Sequence, residues 1–158
     1  MTHFVGEGAV VKSTKKAAKI YKRAVELGNS EANLRLAELY LAGDGVKKDE
    51  NKALQLYRVA SERGDPHARI KLAILLEDKG SPHEETFRLL ELAAKQGHTD
   101  AEYNVGFRYV NGHGVTQDLE EGKRWLRRAA AKGDEQAIGA LERISAWERQ
   151  NAATGKTR

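Results

Sequence analysis

The chain has 158 residues, enough for one domain with a core spread along its length; 40% apolar and 32% charged residues describe a soluble folded protein, not a disordered one. It has no cysteine, which excludes a disulfide framework and any thiolate metal site, and no apolar run nears the roughly 18 residues needed to cross a bilayer. The net charge of +4 is distributed as +4 over residues 1–30, −5 over 31–121 and +5 over 122–158, which argues against the continuous basic stripe of a nucleic-acid binder.

In chain order, residues 1–8 show no basic stretch leading into an apolar one, so no secretory signal is read and the expected location is the cytoplasm. Gly6-Glu7-Gly8-Ala9-Val10 reads as a degenerate link. The helix predicted over 13–27 is the second half of a partial repeat (9–31), and Gly28 ends it. Asn29-Ser30 can cap the next helix, which carries Ala32, Leu36, Ala37 and Tyr40 on one face. Gly43-Asp44-Gly45-Val46 then reverses the chain, and a second helix runs from Asp49 to Gly64. Two further blocks repeat this order over 68–100 and 101–136. Asp65-Pro66 opens the first and Thr99-Asp100 the second, and Gly97 and Gly133 close them.

The glycines Gly28, Gly64, Gly97 and Gly133 put the blocks in register. Eight residues before them stand Ile20, Leu56, Leu89 and Trp125; seven before, Tyr21, Tyr57, Leu90 and Leu126; four before, Ala24, Ala60, Ala93 and Ala129. These positions form one helical face of two large residues and one small one. The first helices show Ala32, Ala68, Ala101 and Ala137, then Leu36, Leu72, Val105 and Leu141, then Ala37, Ala73 and Gly106. The block over 68–100 is three residues short, and Gly80-Ser81-Pro82-His83-Glu84 replaces its link. Ser81 and Glu84 read there as a capping box, with Pro82 just inside the helix. A final helix over 137–149 departs from the pattern as a solvent-facing cap should, and a polar tail over 151–158 is expected to be disordered.

A repeat of this length, close to 36 residues, is the signature of a stacked helical solenoid, an architecture that usually binds rather than transforms. Ala101 through Gly114-Val115, with Asp118, Trp125 and Gly133, resembles the Sel-1-like repeat (SLR), a relative of the tetratricopeptide repeat with a longer, glycine-rich link. The resemblance covers roughly residues 9–145. It implies an all-α right-handed superhelix of about three and a half repeats plus a capping helix, forming one domain over 1–150. It also implies a non-enzymatic adaptor, a monomer when free, whose partner is another protein or a peptide.

By the same resemblance, first helices line the concave surface. Leu34, Ile70 and Tyr103, with Glu38, Ile74 and Phe107, then form an apolar trough flanked by Glu38 and Arg108. Packing between adjacent repeats would use the same side of the helix, and amphipathicity does not separate the two. Lys12, Lys15, Lys16, Lys19, Lys22 and Arg23 make one basic helix, and Lys123, Arg124, Arg127 and Arg128 a second cluster. Both read as solvated faces. The alternative is an electrostatic surface for nucleic acid or an acidic partner.

Catalytic and metal chemistry find little support. His3, His67, His83, His98 and His113 include no pair with ligand spacing, so no metal and no cofactor are expected. Glu84-Glu85 and Glu120-Glu121 read as first-turn acids favoured by the helix dipole, not as acid/base pairs. Gly155-Lys156-Thr157 lacks the upstream glycine, strand and following helix of a phosphate-binding loop. An enzyme ranks last among the readings, because no nucleophile, base and oxyanion set can be assembled.

Overall fold

The computed structural model describes residues 7–155, with side chains from Ser13 onward. Among the described residues there are eight helices and no strand: α1 (Glu7–Glu26), α2 (Ser30–Ala42), α3 (Glu50–Glu62), α4 (Pro66–Asp78), α5 (His83–Lys95), α6 (Thr99–Asn111), α7 (Leu119–Ala131) and α8 (Glu135–Ala153). The all-α fold expected from the repeat is therefore present. Contacts divide the chain into two compact units that part inside α4, one up to Leu75 and one from Leu76.

In the first unit α2 packs on α1 and on α3. Ala32, Leu36, Ala37, Tyr40, Tyr57 and Ala60 from the predicted columns are buried in its core, joined by Ala18 and Ala53, which no column named, while Tyr21, Ala24 and Leu56 are half-buried. Asn33, also buried, donates from Nδ2 to the Leu56 carbonyl at 3.1 Å and so ties α2 to α3. Asn29 caps α2 through the amide of Ala32, and Asp49 caps α3 through that of Lys52. Each such cap contributes about 1 kcal/mol.

In the second unit α6 packs on α5 and α7, and α7 on α8. The approach of α6 to α7 needs glycine on both sides. A Cβ on Gly106 would stand 2.9 Å from the Gly122 carbonyl oxygen, and one on Gly122 would stand 2.9 Å from that of Gly106. Leu126 packs against Gly106 and Val110 against Gly122. Asp118 and Asp134 cap α7 and α8.

The glycine-rich links do what their spacing implied. Gly43 and Gly112 both end a helix at φ 68°, and Gly45 and Gly114 follow at φ 74° and 75°. Each link then closes with an amide returning to the helix before it, Asp49 to the Tyr40 carbonyl and Asp118 to the Tyr109 carbonyl. The second glycine also meets an earlier helix. A Cβ there would lie 2.4 Å from the Thr14 carbonyl oxygen at Gly45, and 2.4 Å from the His83 carbonyl oxygen at Gly114.

Several expectations are corrected. Helix α1 begins at Glu7, so 7–10 is helix and not a separate link, and Gly6 lies outside the described residues. Ser81 does not cap α5. Pro82 holds ψ at 138°, which puts it outside the helix as its N-cap, with no side-chain cap bond. Likewise Thr99 and Asp100 lie inside α6, after an N-cap at His98. Ile20, placed in a core column, is largely exposed, whereas its counterpart Trp125 is buried. Helix α8 continues to Ala153, past the end expected at 149, so 151–153 is helix and not tail; Glu148 accepts a 2.9 Å hydrogen bond from Lys123 Nζ and pins that last stretch to α7. Thr154 and Gly155 turn the chain at the end of α8, and the expected tail from Lys156 lies outside the described residues.

Candidate functional site

The structure sorts the expected trough residues into three kinds. Glu38, Ile74 and Phe107 are exposed, and Ile70 and Tyr103 are half-buried. Leu34 and Arg108 offer no docking surface. Leu34 belongs to the core of the first unit, and Arg108 turns its guanidinium inward to a carboxylate. Tyr103 packs against the cluster of Leu126, Ala129, Ala137 and Ala140, which makes it a seam residue in large part. Glu38 is engaged by Arg35 at 3.4 Å on its own helix.

What remains accessible in the second unit is a groove along α6, α7 and α8. It encloses about 860 Å³ and is floored by Leu126 and Ala140, with Phe107, Val110, Ile144 and Trp147 on its walls. The small residues Ala137 and Ala140 let the first half of α8 press onto α7. The second half then carries Ile144 and Trp147 to the wall facing Phe107. Phe107 is 47% exposed and Trp147 50%, a large apolar area left in water. Asp118, Glu120 and Arg143 supply polar atoms at the rim. Phe107 was visible in the sequence; Trp147 was not, because the final helix departs from the repeat columns.

A second constellation lies at the end of α4. Glu77 accepts two hydrogen bonds from Arg108 Nη2, at 3.0 Å on Oε1 and 2.8 Å on Oε2. The same Oε1 meets His83 Nδ1 at 3.3 Å and His113 Nε2 at 3.2 Å. The two imidazoles lie against each other at a centroid distance of 3.9 Å, tilted by 44°. Partial burial pushes the Glu77 carboxyl up, but hydrogen bonds from Arg108, His113 and His83 and the charge on Arg108 outweigh it and hold the group below the usual carboxylate range. Three possible ligand atoms, from Glu77, His83 and His113, lie within 4.8 Å of one another. Spacing along the chain had ruled out a metal site, yet folding assembles this set from a helix end, a helix start and a link.

The basic clusters differ from each other. On α1, Lys15, Lys16, Lys19, Lys22 and Arg23 are exposed, with Lys12 outside the described side chains. The second cluster is largely consumed by internal pairs: Lys123 with Glu148 and Glu120, Arg124 with Glu121, and Arg128 with Glu102. Hydrogen bonds to Glu148 and Glu120 raise the Lys123 pKa. Glu102 is fully buried and is also held by Lys132 at 2.7 Å. Glu84, Glu85, Glu120 and Glu121 do sit in the first turns of α5 and α7. No described helix is long and apolar enough to cross a membrane.

Known proteins share this fold. The Sel1 repeat family model matches residues 1–29, 30–65, 66–98 and 99–134, two residues ahead of the boundaries at 32, 68 and 101 read from the alanine columns. A Sel1 repeat protein from Oxalobacter formigenes superposes with a TM-score of 0.73 at 31% identity, over 78% of this chain and 96% of that one. A protective antigen of uropathogenic Escherichia coli that displays an SLR fold gives 0.73 at 27% identity, over 85% of this chain and 32% of that one. A chitin synthase regulator of Malassezia restricta is 38% identical over 63 residues, which is 40% of this chain but only 4% of that relative.

Proposed function

Because the chain belongs to the Sel1 repeat family, whose members generally mediate protein–protein interactions, we propose that it is a non-enzymatic interaction module that receives an apolar segment of a partner protein in the groove of α6, α7 and α8. The observation that carries this reading is the pair Phe107 and Trp147, half exposed on the walls of one concavity. Large aromatic rings with part of their surface in water are typical anchors, because covering them releases water at little cost in side-chain entropy. The walls are helices held by caps and by buried small residues, so the partner side alone bears most of the ordering cost.

The test compares wild type with Phe107→Ser and Trp147→Ser, singly and together, as baits for partners in lysate from the source. Loss of either anchor should weaken capture of the same protein by about 2 kcal/mol, roughly thirtyfold in affinity. Circular dichroism should stay unchanged, since neither ring is a core residue. Undiminished capture by the double variant would dismiss the groove.

A second reading draws on the exposed lysines of α1, which suit an acidic surface or polymer. Binding of that kind falls steeply with salt, whereas capture in an apolar groove persists. Elution at moderate salt, independent of Phe107 and Trp147, would move the function to α1.

A further inference from the structure

We propose that Glu77, His83 and His113 form a zinc-binding site, with Glu77 Oε1 and one nitrogen from each imidazole as the three protein ligands. Metal–ligand bonds of about 2.0–2.1 Å place the corners of a zinc tetrahedron about 3.3–3.4 Å apart. Glu77 Oε1 stands 3.3 Å from His83 Nδ1 and 3.2 Å from His113 Nε2, so two edges of such a tetrahedron are already present. All three ligand atoms fall within 4.8 Å, and the third edge closes by small rotations of two partly exposed rings.

The donor set narrows the ion to the late first-row divalent metals, of which zinc accepts the four-coordinate geometry that these spacings fit. Two imidazoles and one carboxylate suit zinc and disfavour magnesium and calcium, which take oxygen shells. Three protein ligands leave the fourth corner to water, and the side chains of His83 and His113 are accessible to it. Arg108 acts as a positioning residue. Its Nη2 bridges both carboxylate oxygens, at 3.0 Å on Oε1 and 2.8 Å on Oε2, and so fixes the carboxylate in the manner of outer partners that orient metal ligands; the ion takes the remaining lone pair of Oε1, on the side of the two imidazoles. Its positive charge opposes the ion, so the site is expected to bind in the micromolar range and not as tightly as a structural zinc finger.

The backbone supports the same assignment. His83 is the first residue of α5, and its carbonyl lies under Gly114, where any Cβ would clash. That close approach holds the link carrying His113 against the helix start carrying His83.

The experiment is calorimetric titration of the full chain, stripped with chelator, with zinc chloride, for wild type, His83→Asn, His113→Asn, the double variant and His67→Asn. One zinc per chain is expected, with each single variant weakening it about tenfold or more, the double variant abolishing it, His67→Asn matching wild type, and excess magnesium without effect. Both ligand histidines are accessible, so these variants should keep the helicity of the wild type. Absence of saturable zinc binding in wild type, or equal affinity in the double variant, would overturn the site.

Discussion

Tyr57 shows how one buried side chain sets a limit on the conditions the fold tolerates. It is 2% exposed in the first unit, and burial, reinforced by the charge on Glu38, pushes its phenol up to about 12. The folded chain therefore holds that proton more tightly than the unfolded chain, whose phenol ionises near 10. The stability this represents is complete below pH 10 and is lost as pH rises through 10 to 12. Denaturation midpoints measured from pH 9 to 12 should fall more steeply for wild type than for Tyr57→Phe, and parallel curves would contradict the assignment. Glu102 is a second buried polar side chain, held between Lys132 and Arg128. Nothing in its sequence neighbourhood marked it as internal. It follows the repeat-starting Ala101 just as Asn33 follows Ala32, and both polar side chains are used to tie one helix to the next.

Helix ends carry most of the repeat's information. Positive φ at Gly28, Gly64, Gly97 and Gly133 stops every second helix, and this was legible because a glycine recurring just past an apolar helical face marks the left-handed residue that ends it. Caps were legible where an Asn or Asp preceded the apolar face, as at Asn29, whose side chain accepts from the Ala32 amide. The start of α5 was misread because Ser81 and Glu84 fit a capping box by spacing, while the extended Pro82 between them moves the helix on by one residue. Two glycines of similar φ should respond differently to the same change. A Cβ on Gly64 meets nothing within 4 Å, so Gly64→Ala should cost about 1 kcal/mol, the backbone term alone. Gly114→Ala adds a 2.4 Å encounter with the His83 carbonyl and should cost about 3 kcal/mol or more. For a chain of this size that is a difference of roughly 4–8 °C in midpoint, read by thermal unfolding. Equal shifts would mean that the link does not rest on α5 in solution.

Over the whole chain, a stack in which each hairpin is held by its neighbours distributes stability locally. Hydrogen exchange of Gly114→Ala should accordingly show protection lost mainly in α5 to α8, with α1 to α3 little changed; a uniform loss would indicate all-or-none opening instead. The candidate sites were legible in unequal measure for the same reason that the fold was. Phe107 stood in a repeating column and could be singled out. Trp147 lies beyond the last full repeat, and Glu77, His83 and His113 come from three different elements, so no spacing within one helix marks them as a set. The Gly-x-Gly links draw these threads together. Their two glycines hold a reversal that any member of the array can share, while the residue between them is Asp44 in one copy and His113 in the other. Architecture and chemistry thus occupy separate letters of the same short word. Averaging the copies into a consensus sequence would return a protein that stacks as well as this one and has lost the vocabulary by which its copies differ.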